Sequence, residues 1–171
     1  MKKTKCYENY PPWIVLVSNL VSLLIYAIGA FIIYEVGIIW LILYLLFILF
    51  LEIKLLMKSC VNCYYYGKYC AFGKGKISKL FFKKGNARKF MQKQITWKEI
   101  IPDFLVSVIP MIVGIILLIR KFNLLILVLV ISLFLLSFSG NALVRGSLTC
   151  KYCKQREMGC PAEQLFNKKK K

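Results

Sequence analysis

Four long apolar segments limit what this chain can fold into. They cover residues 13–33, 36–57, 104–119 and 124–143, and the third is the shortest. A helix needs about 20 apolar residues to cross a hydrocarbon core about 30 Å thick. Hydrophobic residues make up 59% of the 171 residues, which is more than a soluble core of this size requires. The sequence therefore predicts an all-α membrane protein with four transmembrane helices.

The basic residues predict which way these helices cross the bilayer. Residues 57–100 contain ten lysines and one arginine against a single acidic residue, Glu99, and residues 151–171 add six lysines and one arginine. By the positive-inside rule, we expect both regions and the lysine-bearing N-terminus to lie in the cytoplasm. The first apolar segment is too long for the apolar region of a signal peptide, so we expect it to be a true span. The sequence predicts an integral, multi-pass protein with both termini cytoplasmic.

One cysteine spacing occurs twice, as C-x2-C-x6-C. The first triplet is Cys60, Cys63 and Cys70, and the second triplet, 90 residues later, is Cys150, Cys153 and Cys160. Each triplet follows two apolar segments. This order predicts two tandem hairpins, residues 1–70 and 101–171, each ending in a three-cysteine knuckle and joined by a basic cytoplasmic linker, 71–100. Parallel repeats are related by an axis along the membrane normal, so both triplets are expected at the same face.

The cytoplasmic location favours metal ligands over disulfides for these cysteines. Cytoplasmic thiols stay reduced, and clustered cysteines there are more often metal ligands or redox centres. The C-x2-C turn lets two thiolates converge on one ion or cluster. The dense positive charge is also expected to lower the thiol pKa and so favour the thiolate. All six cysteines are therefore predicted metal ligands, for an iron-sulfur cluster or for zinc.

Two resemblances of spacing keep both metals open. The doubled C-x2-C-x6-C resembles the fungal binuclear zinc cluster, which implies that six thiols at this spacing can hold two zinc ions without histidine. Here two membrane spans separate the halves, so no DNA-binding function is carried over. The Cys160-Pro161 pair resembles the cysteine-proline ending of bacterial ferredoxin motifs, although the ferredoxin spacing C-x2-C-x2-C is absent.

These metals lead to different functional hypotheses. With iron-sulfur clusters, the protein would be an electron-transfer subunit that meets an acidic soluble redox partner or another membrane subunit. With zinc, it would be a metal-stapled membrane adaptor or assembly factor without redox activity. Reversible metal sensing or handling is a third interpretation. The chain contains no histidine and no phosphate-binding glycine loop or serine-hydrolase elbow. A conventional enzyme is therefore not expected.

Two further features have both a functional and a structural interpretation. Asn141 and Arg145 lie one helical turn apart at the cytoplasmic end of the fourth segment and are predicted to form a cofactor-binding pocket, with Glu52 as a candidate partner of Arg145. Close helix packing and a snorkelling arginine are the structural alternative. Residues 77–91 predict an amphipathic interfacial helix interrupted at Gly85. This basic region is expected to bind anionic lipid of the bilayer rather than nucleic acid.

Overall fold

The computed structural model describes residues 6–92 and 97–160, and the regular structure of these residues is helical. The α-helices are α1 (Pro12–Tyr34), α2 (Ile38–Lys58), α3 (Lys74–Phe81), α4 (Ala87–Gln92), α5 (Trp97–Arg120), α6 (Leu124–Leu135) and α7 (Lys154–Glu157). Single 3-10 turns cover Cys60–Asn62 and Cys150–Tyr152, and π-helical segments cover Leu136–Gly140 and Leu143–Thr149. Residues 77–91, predicted as a helix interrupted at Gly85, belong to two short helices, α3 and α4, separated around Gly85. Their location at the membrane surface stays a prediction.

Four helical stretches of the described chain are long and apolar enough to cross a membrane. They are Pro12–Tyr34, Ile38–Asn62, Ile101–Arg120 and Leu124–Tyr152. The prediction of a multi-pass protein with four transmembrane helices is confirmed. The predicted end of the fourth span at residue 143 is wrong, because its small and polar residues continue the helical path through the two π-helical segments. The third span, predicted over residues 104–119, covers Ile101–Arg120 and lies within α5, which begins at Trp97 and contains both Pro102 and Pro110.

The second proline of α5 is accommodated by a hydrogen bond from a neighbouring helix. Pro110 has no N–H, so the carbonyl of Val106, four residues earlier, loses its usual helical partner. The Tyr44 hydroxyl of α2 donates to this carbonyl oxygen at 2.8 Å. Gly29 of α1 makes room for it, because a Cβ atom there would overlap the tyrosine hydroxyl. A freed carbonyl in a transmembrane helix needs such a donor, because lipid offers none.

The first helices of the two predicted hairpins pack against each other. Helix α1 contacts α5, and each also contacts the second helix of its own hairpin, α2 or α6. Further contacts join α1 to α6 and α2 to α5. Buried Ile25, Ile32 and Leu133 fill the core between α1 and α6. This neighbour pattern suits two hairpins around a common axis, and the repeat architecture itself stays a prediction.

Candidate metal centre

The two cysteine turns have the same local backbone. The first cysteine turn, Cys60–Cys63, follows α2, and the second cysteine turn, Cys150–Cys153, follows the π-helical segment Leu143–Thr149. In each, the last cysteine donates its N–H to the carbonyl of the first, at 3.3 Å in the first turn and 3.4 Å in the second. The residue three positions later, Tyr66 or Arg156, then donates its N–H to the carbonyl of Cys63 or Cys153, at 3.1 and 3.0 Å. The spacing that repeats in the sequence therefore forms similar turns.

Backbone N–H groups act on the inner sulfur of each turn. The N–H of Tyr65 acts to lower the pKa of the Cys63 thiol, and the N–H groups of Gln155 and Arg156 act to lower the pKa of the Cys153 thiol. A backbone N–H near sulfur favours the thiolate over the thiol and tunes a metal bound to it.

The N-terminal segment lies between the two turns. Tyr7 forms an isolated parallel β-bridge with Cys153, and its N–H donates to the carbonyl of Tyr152 at 3.0 Å. Three residues later, the N–H of Tyr10 donates to the carbonyl of Tyr69 in the first triplet's loop at 2.9 Å. Both cysteine turns and this segment therefore lie at the same end of the helical bundle.

Tyr65 connects all three segments. Its ring is 2% exposed, and its hydroxyl donates to the carbonyl of Tyr7 at 2.6 Å and accepts from the backbone N–H of Lys154 at 3.0 Å. A second link between the two turns runs from the N–H of Tyr64 to the side-chain oxygen of Gln155 at 2.8 Å. This bridging role of Tyr65 could not be predicted from the sequence, because nothing local shows which groups a tyrosine hydroxyl will contact.

The structure brings the predicted ligands into one neighbourhood. The thiols of Cys70, Cys153 and Cys160 lie close enough to Cys63 for their charge to raise its pKa. Cys60 is in range of Cys63 and Cys70, and Cys153 is in range of Cys150 and Cys160. All seven cysteines lie in the described part of the chain, and none of them forms a disulfide there. In residues 6–92 and 97–160, no three cysteine, aspartate or glutamate side chains already converge as a set of metal ligands. Pro161 and the tail 161–171 lie outside the described residues.

Burial, rather than the lysines, governs the electrostatics of the inner sulfurs. Burial raises the pKa of the Cys63 thiol to about 11, although the Tyr65 N–H acts in the opposite direction. Burial likewise raises the pKa of the Cys153 thiol. The predicted lowering of the thiol pKa by positive charge is therefore wrong for these two cysteines. Desolvation disfavours the charged thiolate and outweighs the surrounding basic residues.

The two predicted pocket residues contact different parts of the structure. The Asn141 side chain donates to the carbonyl of Ser137 in its own helix at 3.2 Å. Arg145 lies over the ring of Phe72, 5.7 Å from its centroid. A cavity of about 280 Å³ beside α1, α2 and α5 is lined by apolar side chains and by neither predicted pocket residue.

Glu52 binds a lysine from the first triplet's loop. Its carboxylate pairs with Lys74 at 2.6 Å and accepts from the Tyr26 hydroxyl at 2.8 Å. The expected pairing of Glu52 with Arg145 is therefore wrong. Lys74 comes close because the loop after Cys70 folds back onto the end of α2, which no sequence pattern indicated.

The site offers cysteine sulfurs, backbone N–H donors to sulfur and a tyrosine-rich shell. Ring contacts of 5.4–5.5 Å connect Tyr7, Tyr10, Tyr65 and Tyr152 beside the cysteine turns. Sulfur-rich sites of this kind favour zinc and iron-sulfur clusters over hard, oxygen-seeking cations. No protein-family model, curated protein or solved structure matches this chain, so its chemistry is inferred from these contacts.

Replacing Tyr65 by phenylalanine is expected to loosen the connection between the turns. Tyr65→Phe leaves the carbonyl of Tyr7 and the N–H of Lys154 without this partner, which should cost about 1–3 kcal/mol of unfolding free energy. Tyr69→Phe is the matched control, because Tyr69 is 46% exposed and its hydroxyl contacts only the Lys76 ammonium. The free energy of unfolding of both variants is measured in detergent micelles. Equal stability of the two would contradict the bridging role of Tyr65.

Proposed function

We propose that this protein binds thiophilic metal through its two cysteine triplets, as iron-sulfur clusters that carry electrons at the membrane surface. The observation that supports the proposal best is the pair of like cysteine turns at one end of a membrane bundle, where the residues that follow each turn hydrogen-bond to each other. The N–H of Gly75 also donates to the sulfur of Cys70, the third cysteine of the first triplet, at 3.4 Å. Hydrogen bonds to sulfur and limited solvent access are what set the potential of such clusters.

The proposed role is one-electron transfer between a soluble donor and a membrane acceptor. The net charge of +18 favours an acidic donor, because complementary charge accelerates encounter. The acceptor would be another membrane subunit or a lipid-soluble carrier. Three thiols in each triplet leave one iron of a cubane for a ligand other than these cysteines. The proposal includes the cytoplasmic placement of the termini and both triplets, which the distribution of lysines and arginines supports.

A zinc-stapled adaptor or assembly factor is the second candidate. The observation in its favour is the backbone hydrogen bonding that connects residues 7, 10, 69 and 152. An ion bound at this junction would hold the N-terminal segment and both hairpins together. Structural zinc sites contribute their binding free energy directly to folding. This candidate predicts no redox activity.

Metal analysis of anaerobically purified protein separates the two candidates. Iron-sulfur binding predicts brown protein with broad absorption near about 400 nm, together with iron and acid-labile sulfide. Zinc without iron would replace the electron-transfer proposal with the zinc-stapled one. The variant Cys63→Ser/Cys153→Ser serves as the background for adventitious metal. If wild-type protein carried no more iron or zinc than this variant, both candidates would be rejected.

A further inference from the structure

Helix α3 presents an apolar stripe that the described residues leave exposed. Gly75 and Ser78 are buried against the rest of the chain. Ile77, Leu80 and Phe81 are spaced i, i+3 and i+4, so they share one helical face, and they are 42%, 80% and 73% exposed. This stripe lies on the side of the helix away from the buried glycine and serine. Large apolar side chains in that position indicate contact with something outside the described protein.

Lysines border this stripe without local acidic partners. Lys76 and Lys79 on α3 are exposed, and Lys83 and Lys84 follow the helix and are also exposed. No aspartate or glutamate occurs between Glu52 and Glu99 in the sequence. An exposed apolar face beside an uncompensated basic one is typical of helices that lie in a membrane surface. The positive charge selects an anionic partner.

The position of α3 in the fold matches the level of the bilayer surface. Lys74, the first residue of α3, forms its 2.6 Å ion pair with Glu52, which lies six residues before the end of α2 at Lys58. Helix α2 forms most of a membrane-spanning stretch. This ion pair therefore holds the start of α3 beside the last turns of a transmembrane helix, where lipid headgroups meet acyl chains. An apolar stripe held at this level has lipid within reach.

We propose that α3 lies in the membrane surface as an anchor for anionic phospholipid. Ile77, Leu80 and Phe81 insert among the acyl chains, and Lys76, Lys79, Lys83 and Lys84 contact the headgroup phosphates. The first turn of the same helix donates the N–H of Gly75 to the Cys70 sulfur at 3.4 Å. Lipid contact therefore positions a donor to one of the proposed metal ligands. The lipid contact itself does not depend on a bound metal.

Fluorescence quenching in the full-length protein tests the insertion. The variant Phe81→Trp, reconstituted in vesicles of phosphatidylcholine and phosphatidylglycerol, adds one tryptophan to the three native ones. The emission of wild-type protein in the same vesicles is subtracted. We expect lipid brominated near the headgroup end of its chains to quench the added emission. The proposal would be overturned if brominated lipid did not quench the added emission. If the unquenched emission also changed with protein concentration, a second copy of the protein would be the partner of this stripe instead of lipid.

Lipid selectivity tests the role of the lysines. The preference of reconstituted protein for spin-labelled phosphatidylglycerol over phosphatidylcholine is expected to fall in Lys79→Gln/Lys83→Gln, by up to about fivefold for each lysine removed. An unchanged preference in this double variant would overturn the proposal. Neither readout involves iron or zinc. Failure of the lipid proposal would therefore leave the metal proposal standing, and failure of the metal proposal would leave the lipid proposal standing.

Discussion

Replacing Cys63 with serine is expected to reduce metal binding by both triplets. Cys63 lies within electrostatic range of Cys70 in its own triplet and of Cys153 and Cys160 in the other. Changes to residues that contact the ligands, but are not ligands themselves, typically lower metal affinity roughly 10–100-fold. If the six sulfurs act as one site, loss of the Cys63 sulfur is expected to lower the affinity by more than this. Cys153→Ser is expected to have the same effect. Metal content per protein, measured after anaerobic purification, checks both variants.

Cys6 offers a control of matched chemistry. Its thiol belongs to neither triplet and donates to the Glu157 carboxylate at 3.3 Å. Cys6→Ser is therefore expected to leave the metal content at the wild-type level. Two independent sites would give a different pattern, in which Cys63→Ser and Cys153→Ser each remove half of the metal and the double variant removes the rest. That pattern would contradict a shared site while preserving metal binding.

Replacing Gly75 with alanine is expected to displace α3 from the cysteine-containing loop. A Cβ atom at this position would overlap the carbonyl oxygen of Tyr65 and crowd that of Lys68. These are backbone atoms, which cannot move aside as a flexible side chain can. The Gly75 carbonyl also accepts the N–H of Gly67 at 2.9 Å. Since overpacking costs about 1–3 kcal/mol where side chains can adjust, we expect a loss of about 3 kcal/mol or more in unfolding free energy.

Thermal unfolding in detergent micelles measures this loss, and limited trypsin digestion at the lysines of α3 shows whether the helix has come away. Gly146→Ala is the matched control, because a Cβ atom at Gly146, in the fourth span, would meet no atom within 4 Å. We expect that variant to change the unfolding free energy by no more than about 0.5 kcal/mol. If the two alanine variants proved equally stable, the close approach of α3 to the loop would be wrong.

Local patterns predicted the helices well where the surrounding lipid or water decides the structure. The four spans follow from apolar length alone, because a backbone in lipid must satisfy its own hydrogen bonds. The break between α3 and α4 follows from Gly85 in a basic, amphipathic region. Helix α5 begins at Trp97, ahead of the apolar segment predicted from residue 104, and Pro102 lies inside it. Proline is compatible with a membrane helix when neighbouring groups satisfy the freed carbonyl, as the Tyr44 hydroxyl does for Val106 opposite Pro110.

The sequence by itself determined the four apolar spans, the basic amphipathic segment and the repeated cysteine turns, because each depends on residues close together along the chain. Only the tertiary structure decided that Glu52 binds Lys74, that Tyr65 bonds Tyr7 and Lys154, and that burial raises the pKa of Cys63. The two hydrogen bonds of the Tyr65 hydroxyl join residues that are separated by 58 and 89 positions in the sequence. Contacts of this kind depend on how the helices pack, which sets both the partner of each polar group and its exposure to water.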